Sequence, residues 1–538
     1  MILRDLLQLV LFIGLLAALS PLLGRYVHQV FSGRRTFLHP VLGPVERGVY
    51  SLSGIHPDEN QTWSRYAVSL IGFSLAGFLL TFGVLLFQDK LPLNPQGFPG
   101  LSWDLALNTA VSFLTNTNWQ SYGGETTMSH FSQMVALTYQ NFVSAAVGIA
   151  VCAAVVRGIA RNESSSIGNF WSDLVRITLY VLLPLSIIGA LIMLWQGMVQ
   201  NFDAGVTATT LEGGKQFIAT GPVASQIAIK LLGTNGGGFF NVNAAHPFEN
   251  PTALASFLQS FYILIIPSAL VFFLGDAVGS RRHAWTVWAV MLALFIGGVL
   301  WIYFSELHGT HLLQQIAGGA VPNMEGKEVR LGAGATALWS IVTTVTSNGS
   351  VNGMHDSTMP ISGLMEMLNM QINTWFGGVG VGWMNYFTFI IIAVFISGLM
   401  VGRTPEFLCH KVEAREMKVA SIVALLHPFV ILVGTALAAY LYVHAPAFVE
   451  NEGGWLNNPG FHGLSEMLYE FTSVAANNGS GFEGLGDNTW FWNYACGIVL
   501  ILSRFIPIVG QVAIAGLLAS KKYIPESAGT LKTDTVTF

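Results

Sequence analysis

Long runs of apolar residues, separated by polar segments, dominate the chain. Because about 20 mostly apolar residues are needed to cross the hydrocarbon core of a membrane, each run of that length predicts a transmembrane helix. The runs occupy residues 5–24, 66–88, 129–156, 172–197, 252–275, 285–305, 380–402, 417–443 and 491–519. No A-x-A cleavage site follows the first run, which favours an uncleaved helix over a signal peptide. The pattern therefore predicts an all-α polytopic membrane protein.

The segments after the second, fourth, sixth and eighth runs each contain a shorter apolar stretch that leads into a polar cluster. These stretches, each too short to cross a membrane, are Trp103 to Phe113, Pro222 to Leu232, Ala333 to Val345 and Leu464 to Val474. The clusters end at Asn118, Gly236, Gly349 and Gly479, which are 118, 113 and 130 positions apart. A near-constant period in a membrane protein indicates internal repeats. Each repeat is predicted to be a span, a half-helix, a polar loop and a second span, with the first run outside the scheme.

Four such repeats around one axis would bring four polar loops together inside the membrane. Non-helical backbone is tolerated at that depth only where it is buried in protein or lines a watery cavity. Gly236, Gly349 and Gly479 permit backbone angles that let successive carbonyl oxygens point the same way. Rings of carbonyl oxygens replace the hydration shell of the ion in potassium channels, so we expect a bare monovalent cation, with K⁺ the first choice. One such cluster alone would more simply be a hairpin turn.

Composition and charge agree with this pattern and exclude several classes of protein. The chain is 52% hydrophobic and only 10% charged, with a mean hydropathy of +0.56, which excludes soluble and disordered proteins. A net charge of −5 offers no basic surface for nucleic acid. Cys152, Cys409 and Cys496 form no CxxC pair, so neither a zinc site nor a disulfide framework is predicted. Lys and Arg divide 17 to 6 between the two sides, which predicts an outside N-terminus.

Motifs for chemistry on this chain are missing, so we predict that it is not an enzyme and binds no nucleotide. It has no GxxxxGK[ST] loop, and the string at Asp89 reads DKLP, unlike the DKTG of a phosphorylated pump. The GLGD string that ends at Asp487 matches the GxGD of intramembrane proteases, but it falls in a predicted outer loop rather than in a span. Any ATP-derived energy is therefore expected to come from a partner chain.

At the polar clusters the sequence strongly resembles the KdpA family, the potassium-binding subunits of bacterial Kdp potassium-transporting ATPases. The clusters read TNTN from Thr115, TNGGGFFN from Thr234, TSNG from Thr346 and NNGSGFEG from Asn477. The matching stretches are 101–127, 233–254, 323–330, 354–357, 402–407, 414–418 and 475–485. The resemblance implies four pseudo-symmetric membrane-pore-membrane repeats around a central selectivity filter, plus an extra N-terminal helix.

Carried over residue by residue, the resemblance places the potassium filter on four triplets. They are Asn116-Thr117-Asn118, Thr234-Asn235-Gly236, Ser347-Asn348-Gly349 and Asn477-Asn478-Gly479. Asn118 departs from the glycine of the other three, so the site is expected to be only pseudo-symmetric. Gln120, just after the first triplet, matches a position tied to potassium affinity in the family.

The resemblance also implies a pathway and partners. K⁺ from the outside would pass through an intramembrane tunnel to a KdpB-like P-type ATPase subunit, with KdpC-like and small KdpF-like subunits completing the complex in a bacterial plasma (inner) membrane. The alternative is a freestanding channel or symport subunit of the same superfamily. Relatives usually continue past Gly529-Thr530-Leu531 into a tenth span, whereas this chain stops at Phe538, so a short tail without that helix is expected.

The expected organisation divides the chain into six parts. They are an N-terminal helix and cytoplasmic loop (1–60), repeat 1 (61–160), repeat 2 (161–280), repeat 3 (281–412), repeat 4 (413–522) and a tail (523–538).

Several residues outside the triplets are candidates for function. Arg504 lies mid-span, where a charge costs at least about 2.5–3.5 kcal/mol, so we expect it beneath the filter as a barrier to cations or, alternatively, as a structural cap for helix carbonyls. Gly377, Gly378, Gly380 and Gly382 suit a broken-helix gate of the kind the superfamily has in its third repeat; the alternative is close GxxxG helix packing.

Charged residues near the predicted mouth leave alternatives open. Lys230 would either adjust the charge at the outer mouth or pair with a helix C-terminus or a nearby carboxylate. The predicted acidic residues around the mouth are Asp104, Glu125, Glu249, Asp356 and Glu483, which attract cations or are merely solvated. His246 and the His355-Asp356 pair lack a second ligand at suitable spacing, so no metal site is expected.

Overall fold

The computed structural model describes residues 3–525 except Val401 and Arg403, and nine helices in that part are long and apolar enough to cross a membrane. Spans 1 to 9 are Leu3–Phe31, Trp63–Leu86, Ser132–Ala160, Phe170–Trp195, Ala253–Ala277, Arg281–His308, Val381–Met400, Ala414–His444 and Trp490–Ala519. The nine predicted spans are confirmed. The chain beyond residue 525, which includes most of the predicted tail and Lys532, lies outside the described residues.

Four short helices occupy the positions of the predicted half-helices. Half-helices 1 to 4 are Trp103–Leu114, Val223–Leu232, Gly332–Val345 and Phe461–Ala475. At 10 to 15 residues each, they reach only about half-way across a membrane at 1.5 Å per residue. All four end at the polar clusters and are therefore confirmed.

The other described elements are short. The remaining helices are His39–Ser53, Gly124–Thr127, His311–Ala317, Pro360–Ile372 and Pro446–Asn451, with 3₁₀ turns at Gln88–Lys90 and Asn243–Ala245. Ser132–Thr138 and Thr178–Leu182 are π-helical turns within spans 3 and 4. Two antiparallel strand pairs, Gly205–Thr209 with Lys215–Ala219 and Glu406–Phe407 with His410–Lys411, lie in loops.

Spans 3 and 5 form the centre of the molecule, since most of their apolar residues are buried by other helices. Span 1 packs along the outside of span 5. The Phe12 ring contacts those of Phe257 and Phe261 edge to face, and the Ser20 and Ser268 hydroxyls are 2.7 Å apart. Burying aromatic rings against one another and pairing polar groups inside the membrane both favour association. Span 1 is thus an addition to the bundle, as predicted.

Candidate ion-binding site

The four half-helices end in the same way. In each, the second residue after the helix takes a left-handed conformation: φ is 65° at Asn116, 48° at Thr234, 53° at Ser347 and 50° at Asn477. The next residue donates its N–H to a carbonyl in the last turn of the helix, at 2.8 to 3.2 Å (Thr117 to Ser112, Asn235 to Lys230, Asn348 to Thr343, Asn478 to Ser473). This is the Schellman ending, which turns the chain sharply away from the helix axis. The four triplets therefore start from equivalent backbone geometry.

The four triplets, which we call polar loops 1 to 4, form a closed ring. A Cβ atom built on Gly236 of loop 2 would overlap the carbonyl oxygen of Asn348 in loop 3. In the same way, Gly349 faces the Asn478 carbonyl of loop 4, and Gly479 faces the Thr117 carbonyl of loop 1. Loops 2, 3 and 4 thus each touch the next loop at a place where only glycine leaves room for a main-chain oxygen, and the Asn118 amide of loop 1 closes the ring by donating to the Gly236 carbonyl at 3.0 Å.

Backbone angles alternate along each loop. The third residues also have positive φ, of 55° at Asn118, 91° at Gly236, 75° at Gly349 and 105° at Gly479, as do the first residues, whereas the middle residues do not. When φ alternates in sign between successive residues, neighbouring peptide planes are rotated relative to one another. Their carbonyl oxygens can then point to the same side of the chain. The four loops therefore share one alternating backbone pattern.

Most carbonyl oxygens of the polar loops accept no hydrogen bond from the described residues. Within residues 3–525, the triplet carbonyls that accept a hydrogen bond are those of Thr234 and Gly236. Their donors are the amides of Asn116 at 3.2 Å and Asn118 at 3.0 Å, both in loop 1. All four loops are nevertheless shielded from bulk water by the bundle. Buried carbonyls without donors are costly unless another partner satisfies them.

A cavity of about 380 Å³, the vestibule, opens directly above the ring. It is lined by Asn118, Gly349 and Gly479 of the loops and by the carboxylates of Glu470, Glu483 and Asp487. Desolvation raises the pKa of Glu483 to about 7 and raises that of Asp487 as well. The vestibule thus places acidic groups around the entrance to the ring, and burial favours their neutral forms more than water would.

Gln120 joins the vestibule wall to loop 2. Its amide accepts from the Gly238 N–H at 2.7 Å and donates to the Gly238 carbonyl at 3.0 Å. The side chain therefore fixes the backbone just past Gly236, which gives it a positioning role at the ring.

Lys230 and Glu249 form a fully buried ion pair behind loop 2. Lys230 also donates to the Gly237 carbonyl at 2.5 Å, and Glu249 accepts from the N–H groups of Phe239 and Phe240 at 3.1 and 3.3 Å. The pair holds the chain that leaves loop 2 from both ends. Glu249 is thus a buried structural residue, and it is not a solvent-exposed charge at the mouth of the site.

The other acidic residues predicted at the mouth have separate surroundings. Asp104 accepts from Asn493 at 2.8 Å, and Glu125 accepts from the Asn241 N–H at 2.8 Å. Glu483 lines the vestibule and accepts from the N–H of Asp356 at 3.0 Å. Of the five predicted acidic residues, Glu483 is the one whose position bears most directly on the ring.

The glycine run lies beneath the ring and is not helical. The chain leaves Pro360–Ile372, is irregular from 373 to 380, and becomes span 7 at Val381. The Val379 N–H donates to the Thr234 hydroxyl at 2.9 Å, and the Gly377 N–H donates to the Val345 carbonyl at 2.8 Å. Gly378 therefore lies outside a helix, and a helical GxxxG contact with Gly382 is not formed. Gly377, Gly378 and Gly380 sit in a buried loop directly below loops 2 and 3.

Arg504 is buried in span 9 below the ring. The Asn477 amide of loop 4 donates to the Leu500 carbonyl at 3.3 Å, and Arg504 lies one helical turn further from the vestibule. A Cβ built on Gly148 would lie 3.1 Å from Arg504 Nη2 and 2.7 Å from the Val379 carbonyl oxygen. No carboxylate in the described part of the chain forms an ion pair with Arg504. Its charge is therefore placed beside the glycine loop without neutralisation.

A second cavity, of about 260 Å³, begins at the lower end of loop 4. Asn477 borders it above, and spans 7, 8 and 9 form its walls through residues such as Asn385, His427 and Ser503. Asn385 donates to the Asn373 carbonyl at 3.0 Å and accepts from Gln511 at 2.9 Å. The rest of the lining is mostly apolar, and the cavity lies between these spans beside the two ends of the glycine loop, Asn373 and Val381.

Two parts of this arrangement were missed by sequence reasoning. The helix Pro360–Ile372 precedes the glycine loop and span 7, and the available sequence signal for it was a 13-residue amphipathic stretch that begins with proline. Glu470 lies on half-helix 4, where its carboxylate lines the vestibule and contacts Cys496 at 3.2 Å. A carboxylate within an apolar half-helix was the available signal.

Comparisons with known proteins agree with this architecture. Residues 10–538 match the family described as KdpA: Potassium-transporting ATPase A subunit. A potassium-transporting ATPase potassium-binding subunit of Phocaeicola vulgatus is 59% identical over 98% of this chain and 93% of its own length. One from Bacteroides thetaiotaomicron is 57% identical over 99% of this chain and 94% of its own.

A solved structure shares the fold at low sequence identity. The crystal structure of the potassium transporter TrkH from Vibrio parahaemolyticus has a TM-score of 0.56 and 14% identity, and covers 95% of this chain and 98% of its own. The likeness supports the all-α polytopic fold. From the full-length family match and the identity to its members, we conclude that this chain belongs to the KdpA family of potassium-transporting ATPase A subunits.

Proposed function

We propose that the polar loops form a selectivity filter for K⁺ and that this chain is the potassium-binding subunit of an ATP-driven uptake complex. The observation that carries the proposal is the closed ring of loops whose carbonyl oxygens are shielded from bulk water and mostly lack donors. Replacing the hydration shell of an ion requires several oxygens at once, and a ring supplies them. The negative ends of four half-helices point toward the same place and add to the attraction.

We propose that K⁺ enters from the outside through the vestibule and does not cross directly to the cytoplasm. The uncompensated charge of Arg504 would repel a cation that leaves the ring, and the glycine loop blocks the straight path below loops 2 and 3. At about 4 Å in an effective dielectric of about 20, two like charges repel by about 4 kcal/mol. Such a barrier favours a sideways route.

The sideways cavity next to Asn477 would be the first part of a tunnel to the partner that hydrolyses ATP. Its walls between spans 7, 8 and 9 are mostly apolar, with a few polar side chains such as Asn385, His427 and Ser503 along the route that a cation would take. In this scheme the partner is a KdpB-like P-type ATPase subunit, with KdpC-like and KdpF-like subunits, in a bacterial plasma membrane. The N-terminus would face outside.

The test is the K⁺ dependence of ATPase activity in the co-purified complex, wild type against Gly236→Asp. A side chain at Gly236 overlaps the Asn348 carbonyl, so the variant should lose potassium affinity and discrimination over Na⁺. If the variant keeps both, the filter assignment is wrong.

The alternative function is a freestanding channel or symport subunit. It predicts K⁺ currents without ATP when this chain alone is reconstituted in liposomes. Arg504 below the ring argues against it, because a conducting pore gains nothing from a positive barrier. Currents through the wild-type chain alone that match those of its Arg504→Gln variant would favour the alternative.

A further inference from the structure

Three potential metal ligands meet at the rim of the vestibule. Asp356, from the segment after loop 3, approaches His462 and Glu466 of half-helix 4, and the three ligand atoms lie within 4.8 Å of one another. His462 Nε2 is 2.6 Å from Asp356 Oδ1 and 3.9 Å from Glu466 Oε1. His462 and Glu466 are four residues apart and so project from the same face of the helix. Sequence spacing could not reveal this set, because Asp356 is 106 residues from His462.

Two further observations point to a ligand at this place. Glu466 is fully buried, and while its Oε1 accepts from Asn458 at 3.1 Å, its Oε2 has no hydrogen-bond partner within the described chain. A buried carboxylate oxygen without a donor is costly. Gly484 lies over the cluster, and a Cβ there would come within 2.7 Å of Asp356 Oδ2 and would crowd Glu466 Oε1. The glycine leaves open a space bordered by carboxylate oxygens.

We propose that Asp356, His462 and Glu466 bind a divalent transition-metal ion, such as Zn²⁺, which joins repeats 3 and 4 at the rim of the vestibule. One imidazole nitrogen and two carboxylates suit Zn²⁺ and related ions, whereas Ca²⁺ and Mg²⁺ prefer oxygen ligands alone. Three protein ligands leave a position for water. Protons compete with a metal ion for imidazole and carboxylate ligands, so affinity should fall as the pH is lowered.

The site would act on the vestibule wall. Glu483, which lines the vestibule, accepts the N–H groups of His355 and Asp356 at 3.3 and 3.0 Å. A metal on Asp356 would therefore fix the segment that holds Glu483. The site is separate from the polar loops and does not depend on the proposed K⁺ function.

The test measures Zn²⁺ binding by the full-length chain, purified without a histidine tag and treated with a chelator. Titration calorimetry should find one tight Zn²⁺ per wild-type chain and at least tenfold weaker binding in His462→Ala. Co²⁺ in place of Zn²⁺ should give a visible absorption spectrum in the wild type that the variant lacks. His311→Ala is the matched control, because His311 is an exposed histidine at the start of the short helix His311–Ala317, and it should bind as the wild type does.

Glu466→Gln keeps the shape of the buried side chain while weakening it as a ligand, so it should also bind Zn²⁺ at least tenfold more weakly. This second variant covers the case in which His462→Ala fails to fold, which size-exclusion chromatography would reveal. Equal Zn²⁺ affinity in the wild type and either folded variant, or no Zn²⁺ binding by the wild type, would overturn the proposal.

Discussion

Gly236→Ala tests the ring at its tightest contact. A methyl group at this position would overlap the carbonyl oxygen of Asn348, so either loop 2 or loop 3 must move. Because both loops contribute filter oxygens in the proposed site, the movement should weaken K⁺ binding more than it weakens folding. The expected loss of affinity is at least tenfold, equivalent to about 1.4 kcal/mol, since each tenfold change in affinity corresponds to that energy.

The backbone strain of alanine has to be separated from the overlap. Gly236 has a φ of 91°, a left-handed region where any L-residue with a Cβ costs roughly 1–2 kcal/mol. Gly453 has almost the same φ, 90°, but a Cβ there has no atom within 4 Å. Gly453→Ala is therefore the matched control, because it carries the strain without the contact. The difference between the two variants isolates the displacement of the Asn348 carbonyl.

The assay is the K⁺ concentration that half-activates ATP hydrolysis by the co-purified complex, measured with and without competing Na⁺. Gly236→Ala should raise that concentration at least tenfold and admit Na⁺, whereas Gly453→Ala should match the wild type. Thermal unfolding of both variants in detergent shows whether stability changes in parallel. Equal half-activation in Gly236→Ala and Gly453→Ala would refute the reasoning from the ring contact.

Three other changes probe the surroundings of the ring. Arg504→Gln should raise K⁺ leak into liposomes and lower the K⁺ transported per ATP, while Arg504→Lys should not; unchanged leak and coupling in Arg504→Gln would contradict the barrier. Lys230→Met leaves the buried Glu249 unpaired and should lower the free energy of unfolding by about 3–5 kcal/mol, seen as a lower melting temperature in detergent. Because burial raises the pKa of Glu483 to about 7, its carboxylate is charged above that pH and neutral below it. K⁺ affinity should therefore fall from pH 8 to pH 6, and Glu483→Gln should remove most of this dependence; an unchanged pH profile in that variant would contradict a role for the Glu483 charge.

The spans and half-helices were predictable because each rests on local physics. Apolar length identifies a span, and the half-helices end where a polar residue follows the last apolar turn. What the sequence concealed was that Thr234 and Ser347 could take the left-handed ending that is usually left to glycine. The strain is tolerated because all four endings are locked by the same main-chain hydrogen bond. The period of the clusters was therefore a better guide than the residue type at any one of them.

Contacts between distant segments could not be predicted. The sequence suggested that Glu249 was a charged loop residue, whereas in the fold it pairs with Lys230. Asp356 lies next to His462 only because repeats 3 and 4 are adjacent. The glycine run did indicate a break at the seventh crossing, but the helix before it was missed, since residues 360–372 are less apolar than a span and read as part of a loop. In each case the information lies in tertiary packing, which a periodic pattern does not record.

The departure of loop 1 from the glycine pattern has a physical reason in the ring. Asn118 tolerates its φ of 55° because asparagine enters the left-handed region more readily than most residues, and its amide then bonds Gly236 of loop 2 at 3.0 Å and Asn141 at 2.7 Å. Asn116 makes a similar link to Thr234 at 3.2 Å. A glycine at position 118 would allow the same backbone but would remove one of these links. The contact between loops 1 and 2 is thus made by side chains, whereas the other loops meet through their backbones. This difference gives a reason for the site to be pseudo-symmetric and for loop 1 to have asparagine where the other loops have glycine.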